Sequence, residues 1–197
     1  MWADLQKLTL DYVLNNDNLD TTIRLIVNAT NLRELDLSTR IGSDPNKSAK
    51  LIEEVSWAGS KLEVLRLSNV PVTEETLSRW LFRIRHTLTE LSLEHVHIRV
   101  DTSNCMSMFV HMQQHLPLLQ KLNICYLYVG PYVGQPGFLP RWNIKFMFDP
   151  GELKVVGIED GDRELIYRPD APWPSGIRYR GARVSELLGL LARSSTI

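Results

Sequence analysis

Histidines are the first candidates for chemistry. His111-Met-Gln-Gln-His115 sets two imidazoles at i and i+4. On a helix they share one face and can chelate zinc. The hydrolytic zinc helix also needs a Glu directly after the first His, to act as general base. Met112 stands there instead. Cys105 supplies one more ligand type, and no fourth follows. The pair therefore predicts two polar residues on the outer side of a helix, with no metal. A small hydrolase or metal protein built on His111 and His115 is the remote alternative. His95-Val-His97 alternates with Val96 and Ile98, which turns both rings away from an apolar core, and no nucleophile lies near them in sequence. There is no phosphate loop, dinucleotide fingerprint or Gly-x-Ser-x-Gly elbow. The run Gly130-Pro-Tyr-Val-Gly-Gln-Pro-Gly137 lacks the Lys-Ser/Thr ending of a phosphate loop and reads as a surface connection. The expectation is a protein that is not an enzyme and carries no cofactor.

Composition narrows the remaining classes. With 197 residues the chain can form one sizeable domain, or one with a small appendage. Its net charge of -1 leaves no basic excess for nucleic acid. Two cysteines, Cys105 and Cys125, are too few for a disulfide scaffold and favour a reducing compartment. The start, Met-Trp-Ala-Asp-Leu-Gln-Lys, is not a secretory signal. No apolar run approaches the roughly 18 residues of a membrane span. A cytoplasmic or nuclear protein is expected, without a membrane partner.

A repeat dominates what is left. Leu-x-x-Leu-x-Leu begins at Leu5, Leu32, Leu62 and Leu88, and a copy ending in Ile begins at Leu119. The second and third leucines of each copy are two apart, so they share one face of a strand. Helical patterns fill the intervals. Thr73-Glu74-Glu75 supplies an N-cap and first-turn acids before Leu77, Trp80, Leu81 and Ile84. Ser103 or Asn104 caps the next pattern, with Met108, Phe109 and Met112 inward and Pro117 at its stop. Asn46 to Trp57 carries Leu51, Ile52 and Val55. Leu19 to Ala29 carries Ile23, Ile26 and Val27. One strand-helix unit of this size cannot bury its own apolar face, but stacked copies can. The fold expected is α/β: a solenoid with a parallel concave sheet and convex helices over 1–129, and an α+β cap over 130–197.

The pattern resembles the leucine-rich repeat family. The segment LEVLRLSNVPVTEETLSRWLFRIRHTLTELSL carries the likeness best. It is similar to the longer repeats of F-box proteins, the substrate receptors of cullin-type ubiquitin ligases. A Leu-Pro-x-Leu lead-in at Leu116 to Leu119 and uneven spacing are most like fungal members. The resemblance spans Leu5 to Val129. It implies substrate recognition for such a ligase, with the alternative of a structural or regulatory scaffold that has no ubiquitin link. Copy one begins by Leu5, which leaves no room for an F-box within these residues, and the chain is expected to be either a piece of a longer protein or one that never carried the module. The turn position that holds Asn or Cys in the family is Val13, Arg40, Val70, Val96 and Leu127 here. Apolar packing is therefore expected to replace a polar ladder.

Outward residues of the five strands should form three columns: Lys7, Glu34, Val64, Glu90, Lys121; Thr9, Asp36, Arg66, Ser92, Asn123; and Asp11, Ser38, Ser68, Glu94, Cys125. Asp36 and Arg66 are expected to pair across strands. Glu34, Asp36, Arg66, Glu90, Glu94 and Asn123 are the candidate contacts for a protein or peptide partner; the alternative is a solvated face with internal salt bridges. In the tail, WNIKFMF alternates as a strand. ELKVVGI and RELIYR flank a hairpin turn at Glu159 to Asp162, PDAPWPSG breaks the chain, and Ala182 to Arg193 reads as a helix with Val184, Leu187, Leu188 and Leu191 on one face. The tail is read as a cap on the last repeat; alternatively Trp142, Tyr167, Trp173 and Tyr179 build a partner site.

Overall fold

The structure is a computed structural model describing residues 2–12, 16–39, 45–55, 61–99, 106–129, 142–148, 150–159, 162–169 and 172–196. The elements run β1 (Lys7–Tyr12), α1 (Asn16–Asn28), β2 (Glu34–Thr39), α2 (Pro45–Val55), β3 (Val64–Ser68), β4 (Pro71–Thr73), α3 (Glu74–Ile84), β5 (Glu90–Glu94), β6 (His97–Arg99), α4 (Met106–His115), β7 (Lys121–Cys125) and β8 (Tyr128–Val129). They continue with β9 (Trp142–Asn143), β10 (Lys145–Phe146), α5 (Pro150–Val155), β11 (Arg163–Tyr167), β12 (Pro174–Arg180), α6 (Val184–Ser194) and β13 (Ser195–Thr196). The fold is mixed α/β, with six helices among the described residues and a seven-stranded, mostly parallel sheet in the order β1-β2-β3-β5-β7-β12-β11.

Hydrophobic alternation sets the register. Leu35, Leu37, Leu65, Leu67, Leu91, Leu93, Leu122 and Ile124 are buried in one continuous core. A one-residue slip of any strand would send its leucines to water. The parallel pairings align Lys7, Glu34, Val64, Glu90 and Lys121 in one row, and Thr9, Asp36, Arg66, Ser92 and Asn123 in the next. The third row is Asp11, Ser38, Ser68, Glu94 and Cys125. These are the columns expected from the sequence. Each helix closes the core with the residues its spacing marks. In α3 the Thr73 hydroxyl accepts the Thr76 N–H at 3.0 Å, and Leu77, Trp80, Leu81 and Ile84 are buried. In α2 Leu51, Ile52 and Val55 are buried, and in α4 Met108, Phe109 and Met112. In α1 and just past its end the buried set is Leu19, Thr22, Ile26 and Ala29, whereas Val27 lies on the outer side, because a 3-4-3 spacing puts residue 27 off that stripe.

The turns after β3, β5 and β7 share one design. Asn69, His95 and Tyr126 have φ of 56°, 53° and 53°, a left-handed conformation uncommon for non-glycine residues. The next residues, Val70, Val96 and Leu127, are fully buried. Backbone bonds tie these turns to the next strand: Asn69 N–H donates to Glu94 O, His95 N–H to Cys125 O and Tyr126 N–H to Ser175 O, at 2.8–3.0 Å. A second sheet then forms in the order β4-β6-β8-β9 and buries Val72, Ile98 and Val129. Val13 and Arg40 lie outside the described residues, as do Trp57, Ser103, Asn104, Cys105 and the Gly130 to Gly137 run.

The tail joins the same core. β12 pairs antiparallel with β7, and β11 with β12, so the parallel run ends there. Gly176 permits the crossing, since a Cβ at this position would strike the Ile124 carbonyl. Ile144, Phe146 and Phe148 keep strand alternation and are buried. ELKVVGI does not form a strand. Residues Pro150–Val155 make α5, opened by Pro150 with Glu152 in the first turn; Leu153 is buried while Val155 is 86% exposed. The hairpin therefore joins β11 to β12 through the PDAPWPSG region rather than turning at Glu159 to Asp162. In α6 Leu187 through Ala192 are all buried, on both sides of the helix, because α4 and β10 both pack against it.

Candidate functional site

The polar rows lie on the face of the seven-stranded sheet opposite the leucines, and all six candidate contacts share it. Arg66 does not pair with Asp36, its neighbour in register. Its guanidinium turns diagonally to Glu90, with Nε at 2.9 Å and one terminal nitrogen at 2.5 Å from the same oxygen. Long side chains reach diagonal positions across strands, and Lys121 holds the other Glu90 oxygen at 3.0 Å. Burial would raise the Glu90 carboxyl, but the hydrogen bonds from Lys121 and Arg66 outweigh it and hold the group below its ordinary range. Asp36 shows the reverse. Burial pushes its carboxyl up, Arg66 only partly offsets this, and Glu94 and Asp11 add to the rise. Among the described residues the Asp36 side chain has no hydrogen-bond or ion-pair partner. Glu34 pairs with Lys7 at 2.8 Å. The Asn123 amide donates to Ser92 at 2.9 Å and to Glu94, tying the last two rows together; its own carbonyl oxygen is buried without a donor among the described residues.

The same face continues onto strands that the repeat does not contain. β12 places Arg178 beside Asn123 and Arg180 beside Lys121, and Glu164 of β11 takes Arg178 at 2.9 Å. A groove of about 370 Å³ opens here, lined by Glu90, Lys121, Asn123, Glu164, Arg178 and Arg180, with Asp162 and Arg163 at its side. Among the described residues the Arg180 side chain has no partner, and Asp162 does not bond to it. Charge is thus divided across the face. β2 and β5 bring Glu34, Asp36, Glu90 and Glu94 against Arg66 of β3, while β7 and β12 bring Lys121, Arg178 and Arg180 against Glu164. Sequence reading missed Arg178 and Arg180, because they join the face only through antiparallel pairing. Their alternation with buried Ile177 and Tyr179 was the available signal.

The histidines group by structural role. His111 and His115 lie on α4 with ring centroids 4.4 Å apart, and both contact Phe82 of α3. Burial and then the charge of His115 lower the His111 pKa. Among the described residues no cluster of three or more His, Cys, Asp or Glu forms around them. His95 stacks on Tyr126 at 4.9 Å, and Arg168 lies over Tyr126 and Tyr128 while donating to the Tyr128 hydroxyl at 3.1 Å. These contacts hold the β11 end against the turns. Tyr179 is buried and its hydroxyl accepts the Arg183 N–H at 3.0 Å, which removes it from the aromatic partner site considered for the tail. Among the described residues no helix is long and apolar enough to cross a membrane. No family profile, curated protein or solved structure matches the chain.

Proposed function

We propose that this chain is a non-enzymatic protein-binding module of the leucine-rich repeat type, holding a protein or peptide partner on the polar face of its main sheet. The observation that carries the reading is the register: five parallel strands present three aligned polar rows on one side while their leucine pairs fill the core. Stacked strand-helix units of this kind offer long, shallow surfaces suited to macromolecules rather than small substrates. The unbridged, buried thiol of Cys125 fits a cytoplasmic or nuclear setting. Its role within that class is proposed as substrate recognition for an F-box type ubiquitin ligase, supported only by the texture of the repeats; co-purification with cullin and the F-box adaptor tests that assignment.

The test of the binding face is an Arg66→Ala and Glu90→Ala double variant. Both side chains are partly exposed, so the fold should lose no more than about 1 kcal/mol. Partner capture should fall at least tenfold. Undiminished capture by a folded double variant would move the site off this face.

A further inference from the structure

Most charges on the sheet face are already neutralised by neighbours. Lys7 is paired with Glu34, Arg66 and Lys121 share Glu90, and Arg178 is paired with Glu164. Two charged groups in these rows stand apart: Asp36 on β2 and Arg180 on β12, neither with a partner among the described residues. They are separated by four strand-to-strand steps, through β3, β5 and β7, and by two residues along the strand direction. At roughly 4.8 Å per step and 3.3 Å per residue, that is about 20 Å. Six residues of extended chain span the same distance, and in an extended chain residues i and i+6 point to the same side.

We infer that the partner segment is an extended, charge-bipolar peptide lying across the strands, with an acidic side chain on Arg180 in the β7–β12 groove and a basic side chain six residues away on Asp36. The inference rests on the reading of this face as a binding surface and deepens it by naming the ligand's chemistry. The groove suits the acidic end, since it gives a carboxylate one unpaired guanidinium with Lys121 beside it. Asp162 opposes that end, because it lines the same groove without neutralising Arg180. The Asp36 end suits a cation, since Glu94 and Asp11 add negative potential and the two nearby cations are held by other carboxylates, Arg66 by Glu90 and Lys7 by Glu34.

The experiment uses the full chain and fluorescent heptapeptide pools with five randomised central positions. One pool carries Glu and Lys at its two ends, in both orientations; the others carry Glu at both, Lys at both, or Ser at both. The bipolar pool should bind at least fivefold tighter than the rest, and binding should weaken as salt rises. Arg180→Glu and Asp36→Lys should each lower its affinity about fivefold. The double exchange should recover it, because the charges are then reversed together. Asp162→Asn should tighten it, an effect that a structural role for Arg180 would not produce. Equal binding of all pools, or indifference to both exchanges, overturns the bipolar ligand. If binding is equal and is nevertheless lost in the Arg66→Ala and Glu90→Ala variant, the face still binds and only the bipolar inference falls. If no pool binds and partner capture also survives that variant, both readings fall.

Discussion

Glu90 and Asp36 are carboxylates on the same face with opposite electrostatic fates, and pH separates them. Glu90 receives bonds from Arg66 and Lys121 that hold its folded pKa low. Its contribution to stability is therefore present above the unfolded carboxylate range and is lost as pH falls through the folded value. Asp36 is raised by burial, so the folded state binds its proton more tightly than the unfolded state does. That group costs stability near neutrality, and the cost disappears as pH falls below the raised value. Glu90→Gln should lower stability at pH 7 by about 1 kcal/mol, while Asp36→Asn should raise the melting temperature by about a degree. Both differences should shrink toward pH 3, as melting curves of the two variants across pH 3–7 would show. A destabilised Asp36→Asn variant at pH 7 would mean that Arg66 serves Asp36 after all. Sequence alone placed Glu34, Asp36, Arg66, Glu90, Glu94 and Asn123 on one face because side-chain alternation is rigid. It did not give Arg66 its partner, since the choice between a direct and a diagonal carboxylate depends on how long side chains lean across twisted strands.

The turns after β3, β5 and β7 keep one backbone shape around a buried apolar residue. Val96 is fully buried, and three backbone bonds already tie the turn around it. Its carbonyl accepts from Tyr128 N–H at 2.9 Å, His95 N–H donates to Cys125 O, and His97 N–H donates to Val70 O. An asparagine placed there would set its amide among the buried apolar side chains of Val70, Ile98 and Leu127. Val96→Asn should therefore cost about 2–4 kcal/mol, through a buried amide and lost packing, rather than rebuild a polar ladder. Chemical denaturation measures this, and a neutral or stabilising Val96→Asn would show that the turn still has room for side-chain bonds. Such apolar turns were readable from Val70, Val96 and Leu127. The left-handed residues before them were not, because positive φ is uncommon at any non-glycine residue even though Asn and His are enriched there, and Tyr126 carries no such preference. α5 was misread for a related reason: Leu153, Val155 and Ile158 suit a strand by type, but only Leu153 and Ile158 find a core to enter.

Across the whole molecule the two edges of the main sheet are unequal. At the β7 end, β12 covers the last parallel strand, α6 packs on α4, and Phe146 meets Phe109 edge to face at 5.9 Å. At the β1 end no further strand pairs among the described residues, and Leu5, Leu8, Leu10 and Ile23 are only partly buried, while Val27 and Trp2 are about half exposed. In a stack where each unit leans on its neighbours, stability should follow this difference. Hydrogen exchange should therefore find β1 and α1 opening first, β2 with α2 next, and β3, β5 and β7 close to the global limit. The tail belongs to the protected end, since Ile177, Leu187 and Leu188 share its core. Deleting residues 142–196 should reverse the order, stripping cover from Phe109, Met112 and Ile124 and leaving β7 as an open edge prone to association. Equal protection from β1 to β7 in the full chain, or a deletion variant that keeps its slow amides in β7, would show that the tail rests on the sheet without completing it.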